Sequence, residues 1–172
     1  MTVKPILTEP NKLLRQISKP VDSVSDEERR LMDDMLDTMY AAPGIGLAAI
    51  QIGVPKRIIV MDISRDEDKK EPRYFVNPVI KKKNDKTSKY EEGCLSVPDQ
   101  FAEIERPNEC EVEYFDYDGK KRLLKADGLL ATCIQHEMDH LEGILFIDYL
   151  SKLKRSMIIK KLSKNKVNRE IF

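Results

Sequence analysis

Apolar residues spaced three and four positions apart predict an amphipathic helix near the start of the chain. The stripe that we expect to face the core consists of Leu31, Met35, Leu36, Met39 and Tyr40. The helix should begin after Ser25, because Ser25 and Glu28 have the spacing of a capping box. It should end at Pro43 and Gly44, which do not continue a helix.

Short runs of β-branched and aromatic residues further along the chain predict strands. The run Ile58-Ile59-Val60-Met61 has no polar alternation and is typical of a buried strand. A hairpin turn is predicted at Tyr117-Asp118-Gly119-Lys120, between two of the strands. The predicted strands occupy residues 57–62, 74–81, 86–90, 110–116 and 121–125. We expect residues 5–21, which contain several prolines, to be irregular or weakly extended, and the charged residues 64–72 to form a loop.

Two more helices are predicted after the strands, over residues 129–141 and 151–163. The second of them has Leu153, Met157 and Leu162 at helical spacing. The sequence therefore predicts an α+β fold with mixed or antiparallel β-sheets packed around a central helix, an N-terminal helix and a C-terminal helix. We find neither an internal repeat nor a linker, and expect one domain over residues 1–172.

Composition and charge narrow the cellular setting and the kind of partner. A chain of 172 residues with 41% hydrophobic and 35% charged residues fits one globular domain. The sequence contains no secretory leader and no run of about 20 apolar residues, so we expect a cytoplasmic protein without a membrane partner. The net charge is zero, but residues 151–172 carry eight Lys or Arg and one acid. This basic helix and tail indicates either an anionic partner or only a solvated helix face.

The predicted central helix contains an H-E-x-x-H sequence at residues 136–140, with the only two histidines of the chain. His136 and His140 lie one helical turn apart, so both imidazoles can bind one metal ion. Glu137 stands beside them and can carry a proton, as in metal-dependent hydrolases. The alternative is a surface helix whose histidines have no function. The apolar residues before the motif disfavour this alternative.

A catalytic site of this kind needs a third protein ligand. One class of peptidase has a third histidine as the ligand, but this chain has Phe146 at that position. Another class uses a glutamate from a later helix, but residues 150–169 contain no carboxylate. Cys110 lies in an alternating strand and is expected to be packed in the core, whereas Cys133 lies on the central helix and would line a cavity. Cys94 follows a glycine at a strand end and is free to reach the helix. We favour it as a metal ligand over any disulfide.

Three segments together resemble the signature motifs of bacterial peptide deformylases, in the same order and at matching spacing. They are Gly44-Ile45-Gly46-Leu47-Ala48-Ala49-Ile50-Gln51, Glu92-Gly93-Cys94-Leu95-Ser96 and Gln135-His136-Glu137-Met138-Asp139-His140. The resemblance extends to residues 6–15 and covers nearly the whole chain. It implies a hydrolase that removes the formyl group from the N-terminal formyl-methionine of new polypeptides and releases formate.

The resemblance also implies a cofactor and the residues that perform the chemistry. Cys94, His136 and His140 would hold one Fe²⁺ ion, which Zn²⁺, Ni²⁺ or Co²⁺ can replace. Glu137 would be the general base and acid. The Gln51 side-chain amide and the Leu95 backbone N–H would stabilise the oxyanion. For Gln51 alone, a solvated loop amide is an equally good interpretation.

Helix geometry and the resemblance together predict a substrate pocket. Leu129, Thr132 and Cys133 share the helix stripe of the histidines and would form an apolar floor suited to methionine, although they could equally be core residues. By resemblance, Ile45 and Tyr90 would form other walls, and the Gly46 backbone would pair with the substrate main chain.

The same resemblance places Glu92 and Arg106 where they would support the metal ligands. Phe101 departs from the pattern, because well-known members of the family carry arginine at this position. An arginine contact to the substrate is therefore not expected, and the rim of the pocket should be more apolar.

The implied partners are nascent formyl-methionine polypeptides and, through the basic C-terminal helix, ribosomal RNA near the peptide exit. We expect a monomer. Two alternatives remain at this point: a peptidase that cleaves internal amide bonds, which Phe146 disfavours, and a metal-binding protein without activity, which Glu137 disfavours.

Overall fold

The computed structural model of the protein describes residues 2–64 and 66–170, with side chains up to residue 166. Predictions that concern Met1, Arg65 and residues 171–172 lie outside this part of the chain. Within it the predicted α+β fold is confirmed, with helices α1 (Asp26–Ala41), α2 (Gly128–Leu141) and α3 (Lys152–Glu170). The strands are β1 (Gly46–Ala48), β2 (Ile58–Met61), β3 (Arg73–Lys83), β4 (Thr87–Cys94), β5 (Val97–Pro107), β6 (Glu109–Phe115) and β7 (Lys121–Asp127).

Strand β2 lies inside an antiparallel sheet whose strand order is β1-β2-β3-β6-β7. Ile58 and Val60 pack with the methionines of α1 on one face of the sheet. Ile59 and Met61 pack with residues of α2 on the other face. Because both faces of β2 are covered, its four residues are all apolar and show no alternation.

Helix α1 begins at the predicted capping box. Ser25 Oγ accepts a hydrogen bond from the Glu27 amide at 3.3 Å, and the Ser25 amide donates to Glu28 Oε2 at 3.1 Å. Met35 and Met39 are buried as predicted, and so is Met32, which was not in the predicted stripe. The buried face is rotated towards Met32 because the sheet contacts the helix along this line of methionines.

Strands β4 and β5 form a separate two-stranded antiparallel sheet. The prediction stopped β4 at Tyr90, because the polar residues that follow interrupt its apolar pattern, and it missed β5 altogether. Pairing between β4 and β5 extends both strands where the sequence pattern does not predict them: Glu92 lies opposite Ala102, and Gly93 lies opposite Phe101. The short strand β1 was also missed, because its three residues, Gly46–Ala48, are too few and too small to show a strand pattern.

Helix α2 lies between the two sheets. It contacts β1, β2, β6 and β7 of the larger sheet and β5 of the smaller one. Residues 131–137, His140 and Leu141 are all buried, so the helix carries its polar motif into the protein interior. The fold thereby places the polar side chains of α2 where water has little access.

Helix α3 is longer than the predicted 151–163 and packs against the smaller sheet through Ile158 and Leu162, which join a cluster with Val97, Ile104 and Phe146. The prediction ended the helix where the apolar spacing ends, although the polar residues that follow are compatible with a helix. Within the described residues no helix has both the length and the apolar character needed to cross a bilayer.

Candidate metal centre

The structure brings Cys94, His136 and His140 together at the inner side of α2. Their ligand atoms all lie within 4.8 Å of one another, and Cys94 Sγ is 3.3 Å from His140 Nε2. Sulfur and nitrogen ligands on one tetrahedral ion lie about 3.6 Å apart, given metal–ligand bonds of about 2.3 and 2.1 Å. The three side chains therefore fit one divalent metal ion. Other clusters of three or more such ligands were not found in the described residues.

Two different elements supply these ligands. Cys94 ends β4 at a register shift next to Gly93, where the chain turns into β5. His136 and His140 lie one turn apart on α2, with ring centroids separated by 5.2 Å. The other cysteines lie where the sequence placed them, since Cys110 is packed in the core and Cys133 faces the neighbouring cavity.

Glu92 and Arg106 form a buried ion pair behind His136. Glu92 Oε1 is 2.8 Å from His136 Nδ1, and Arg106 donates to both Glu92 oxygens at 2.7 and 2.9 Å. Arg106 also donates to Asp139 Oδ2 at 2.8 Å, and that oxygen accepts from the Tyr149 hydroxyl at 2.8 Å. These contacts fix the His136 ring so that Nε2, and not Nδ1, faces the ligand cluster.

The charges around the two histidines favour a cation between them. Burial opposes ionisation of Glu92, but hydrogen bonds from His136 and Arg106 lower its pKa. Burial would lower the pKa of His136, yet hydrogen bonds with Cys94 and Glu92 raise it well above its ordinary value. Burial and the nearby positive charge of His136 lower the pKa of His140. The same anionic groups that favour a proton on His136 also favour a metal ion at this position.

Glu137 lies deep in the site and faces the backbone of β1. A Cβ atom at Gly46 would lie 2.6 Å from Glu137 Oε1, so only glycine allows this approach. Burial raises the pKa of Glu137 to about 7. Its Oε2 atom is buried and has no hydrogen-bond partner among the described residues. A carboxylate that titrates near neutral pH is suited to exchange protons with a water molecule.

Gln51 lies on the other side of Cys94, in a 3₁₀ turn after β1. Its Oε1 atom accepts from the Ala48 amide at 2.9 Å, which leaves Nε2 to donate to Ser96 Oγ at 3.0 Å. The same nitrogen is 3.6 Å from Cys94 Sγ. The side chain is almost fully buried, which excludes the alternative of a solvated loop amide. Leu95 lies in the tight turn directly after Cys94.

A cavity of about 490 Å³ opens beside these groups. All six residues predicted for substrate binding line it: Ile45, Gly46, Tyr90, Leu129, Thr132 and Cys133. Gln51, Cys94, Leu95, His136 and Glu137 line the same cavity. Phe101 stands at its edge and is 64% exposed. The cavity thus joins the predicted apolar floor directly to the metal ligands.

Three residues of the site had no predicted role. Ser96 and Asp139 lie within two of the three signature motifs. Their position beside metal ligands in the sequence could therefore have indicated a role in the site. Tyr149 has no such signal, because only the packing of the 3₁₀ turn Phe146–Tyr149 brings its hydroxyl to Asp139.

The fold and the site together define a metal-dependent hydrolase that combines an H-E-x-x-H helix with a cysteine from an upstream hairpin. The chain belongs to the polypeptide deformylase family, whose family model matches residues 3–156. A peptide deformylase of Pelagibacter ubique (strain HTCC1062) is 91% identical over 171 residues, which cover 99% of each chain. A peptide deformylase of Rhizobium meliloti (strain 1021) is 56% identical over 95% of this chain and 94% of its own.

Solved structures agree with this assignment. The crystal structure of peptide deformylase from Ehrlichia chaffeensis superposes with a TM-score of 0.91 at 42% identity, covering 96% of this chain and 97% of that one. A peptide deformylase from Legionella pneumophila gives 0.92 at 43% identity over 98% of both chains. The protein is therefore an enzyme that removes the formyl group from the N-terminus of nascent polypeptides.

Proposed function

We propose that Cys94, His136 and His140 hold a single Fe²⁺ ion on which deformylation depends. The convergence of these three donors, with Cys94 Sγ 3.3 Å from His140 Nε2, carries the proposal. A donor set of one thiolate and two imidazoles accepts Fe²⁺, Zn²⁺, Ni²⁺ or Co²⁺, and iron is the metal implied by the family resemblance. When bound, a divalent metal ion lowers the pKa of water from 15.7 towards about 7 and so supplies a nucleophile at neutral pH.

Glu137 is the proton carrier of the reaction. It takes a proton from the attacking water and later delivers it to the departing amine, because an amine leaves readily only when protonated. A pKa of about 7, raised by burial, allows the carboxyl group to do both at neutral pH. Gly46 keeps the space in front of Glu137 Oε1 open, since any side chain there would fill it.

Gln51 and Leu95 stabilise the negative oxygen that forms when the formyl carbonyl is attacked. The Ala48 and Ser96 contacts hold the Gln51 amide with its NH₂ group towards the site. A donor fixed in advance needs no reorganisation during the reaction, and removal of one such donor typically costs about 3 kcal/mol of transition-state stabilisation. The Leu95 backbone N–H is the second donor of this proposal.

The methionine side chain of the substrate enters the apolar part of the cavity. Leu129, Thr132 and Cys133 form its floor on α2, with Ile45 and Tyr90 as walls. Methionine is long, unbranched and flexible, and fills such a space well. Strand β1 pairs on one side with β2 and lies at the edge of its sheet, so the Gly46 backbone can pair with an extended peptide.

We further infer that the basic helix α3 attaches the enzyme to ribosomal RNA. Ile158 and Leu162 anchor the helix to the body, whereas Lys152, Lys154, Lys160, Lys161 and Lys164 are exposed. Lysines on one exposed helix attract phosphate groups through charge alone. We also infer that the enzyme is cytoplasmic, because Cys94, Cys110 and Cys133 are free, as is usual in a reducing compartment, and we propose separately that it is a monomer. Analytical ultracentrifugation tests the monomer.

Formate release from formyl-Met-Ala-Ser, by iron-loaded protein prepared without oxygen, tests the proposed mechanism. Glu137→Gln should keep the metal but lose activity by about 10²- to 10⁴-fold, because glutamine cannot carry the proton. Glu142→Gln removes an exposed carboxylate just after the same helix and serves as the matched control. Turnover by Glu137→Gln at the wild-type rate would contradict the role of Glu137. Cleavage of casein without formate release would contradict the reaction itself.

A further inference from the structure

Phe101 is held at the cavity edge by its pairing with a glycine across the smaller sheet. It lies directly opposite Gly93, and a Cβ atom at Gly93 would be only 2.5 Å from the Phe101 ring. The ring thus occupies the space that a side chain at position 93 would need. An aromatic ring packed across a cross-strand glycine is restrained in position, although 64% of Phe101 remains exposed.

A second exposed apolar side chain lines the same cavity. Ile45 directly precedes β1 and is 47% exposed. We call Ile45 and Phe101 together the apolar rim. Most large apolar side chains in the described residues are buried or half-buried, so two exposed ones on a single cavity indicate a surface that a ligand covers.

The charges around the cavity complement this apolar character. Among the described residues that line it there is neither lysine nor arginine, whereas Glu91 is exposed on it. An acidic substrate side chain at the rim would meet neither lysine nor arginine among these residues and would be repelled by Glu91. The rim therefore disfavours acidic side chains and offers apolar ones a surface.

We propose that the apolar rim selects an apolar side chain at the third residue of the formylated substrate. The inference rests on the proposed function, in which an extended peptide pairs with Gly46. Side chains of an extended chain alternate between two sides, so the first and third residues point the same way. With the methionine in the cavity, the third side chain is directed to the rim of that cavity.

Values of kcat/KM test this selection on the metal-loaded full-length enzyme. Two peptide series are compared, formyl-Met-Ala-X and formyl-Met-X-Ala, with X as Leu, Phe, Asp or Lys. We expect the wild type to prefer Leu or Phe over Asp about tenfold in the first series and to show a smaller preference in the second. Phe101→Ala should reduce the tenfold ratio to about twofold, and Phe101→Leu should retain most of it. Phe101→Arg should shift the ratio towards Asp.

Leu123→Ala is the matched control, because Leu123 is a similarly exposed apolar residue on β7 that does not line the cavity. It should leave every ratio unchanged. Equal rates across the first series, a preference that follows the second residue, or a ratio unaffected by Phe101→Ala would overturn the proposal. Absence of formate release from all peptides would instead contradict the proposed function.

Discussion

The Glu92 carboxylate accepts a hydrogen bond from His136 across 44 positions of the chain, with 2.8 Å between Oε1 and Nδ1. Arg106 holds both Glu92 oxygens, so the carboxylate cannot turn away from the imidazole. A carboxylate behind a ligand histidine fixes the ring orientation and raises its basicity towards the metal. The ion pair therefore belongs to the proposed metal site, although neither residue is one of its three candidate ligands.

We expect Glu92→Gln to weaken metal binding by about 10- to 100-fold, because the neutral amide polarises His136 less and leaves Asp139 as the only anionic partner of Arg106. The rate of metal loss to a chelator, followed by the cobalt absorption spectrum, measures this directly. Glu103→Gln removes an exposed acid from β5 and is the control. Equal rates of metal loss from all three proteins would contradict a role of Glu92 at the metal site.

Replacement of Cys94 tests the third ligand. We expect Cys94→Ala to contain almost no metal by elemental analysis, because two histidines alone do not complete a catalytic site. Cys110→Ala removes a thiol from the core and should retain one metal ion per chain. The proposed site is wrong if Cys94→Ala retains the metal content of the wild type.

The N-terminal cap of α1 predicts a pH dependence of stability. A hydrogen bond from Ser25 and an ion pair with Lys56 lower the pKa of Glu28 to about 2. Because the pKa is lower in the folded state, ionised Glu28 stabilises the fold at pH values above the unfolded-state pKa of about 4.3. This contribution is lost as the pH falls towards the folded-state pKa of about 2. Glu28→Gln should thus lower the free energy of unfolding by about 1 kcal/mol at pH 7.

Urea unfolding at pH 7 and at acid pH measures the difference between wild type and Glu28→Gln, which should become small near pH 2.5. Glu27→Gln removes the neighbouring exposed acid, which also pairs with Lys56, and is the control. A difference that stays constant over this range would show that ionisation of Glu28 does not contribute.

The double variant Lys160→Glu and Lys161→Glu tests the proposed ribosome contact. We expect weaker ribosome binding in a sedimentation assay, with a smaller dependence on salt, because fewer phosphates are neutralised. Turnover of formyl-Met-Ala-Ser should remain at the wild-type level, since α3 lies outside the cavity. Lys81→Glu with Lys82→Glu reverses two adjacent exposed lysines on β3 and is the control. Ribosome binding that is equal in both double variants contradicts the contact.

Local sequence patterns predicted those elements whose stability is mainly local. The capping box at Ser25 and the methionine stripe located α1, and the apolar run at residues 58–61 located β2. Strand β5 was missed because Pro98 and several charged residues obscure its pattern. It forms through pairing with β4, which depends on residues before the turn rather than on its own composition.

The sequence by itself determined the family, the order of the elements and the chemistry available to the site: two histidines one helical turn apart, an acid beside them and an upstream cysteine. Only the tertiary structure decided how the supporting side chains are connected. The resemblance gave Arg106 a supporting role, but only the structure shows that it is buried between Glu92 and Asp139. The reason is physical: these contacts join residues distant in the chain, and their geometry is set by how β4 and β5 pack on α2.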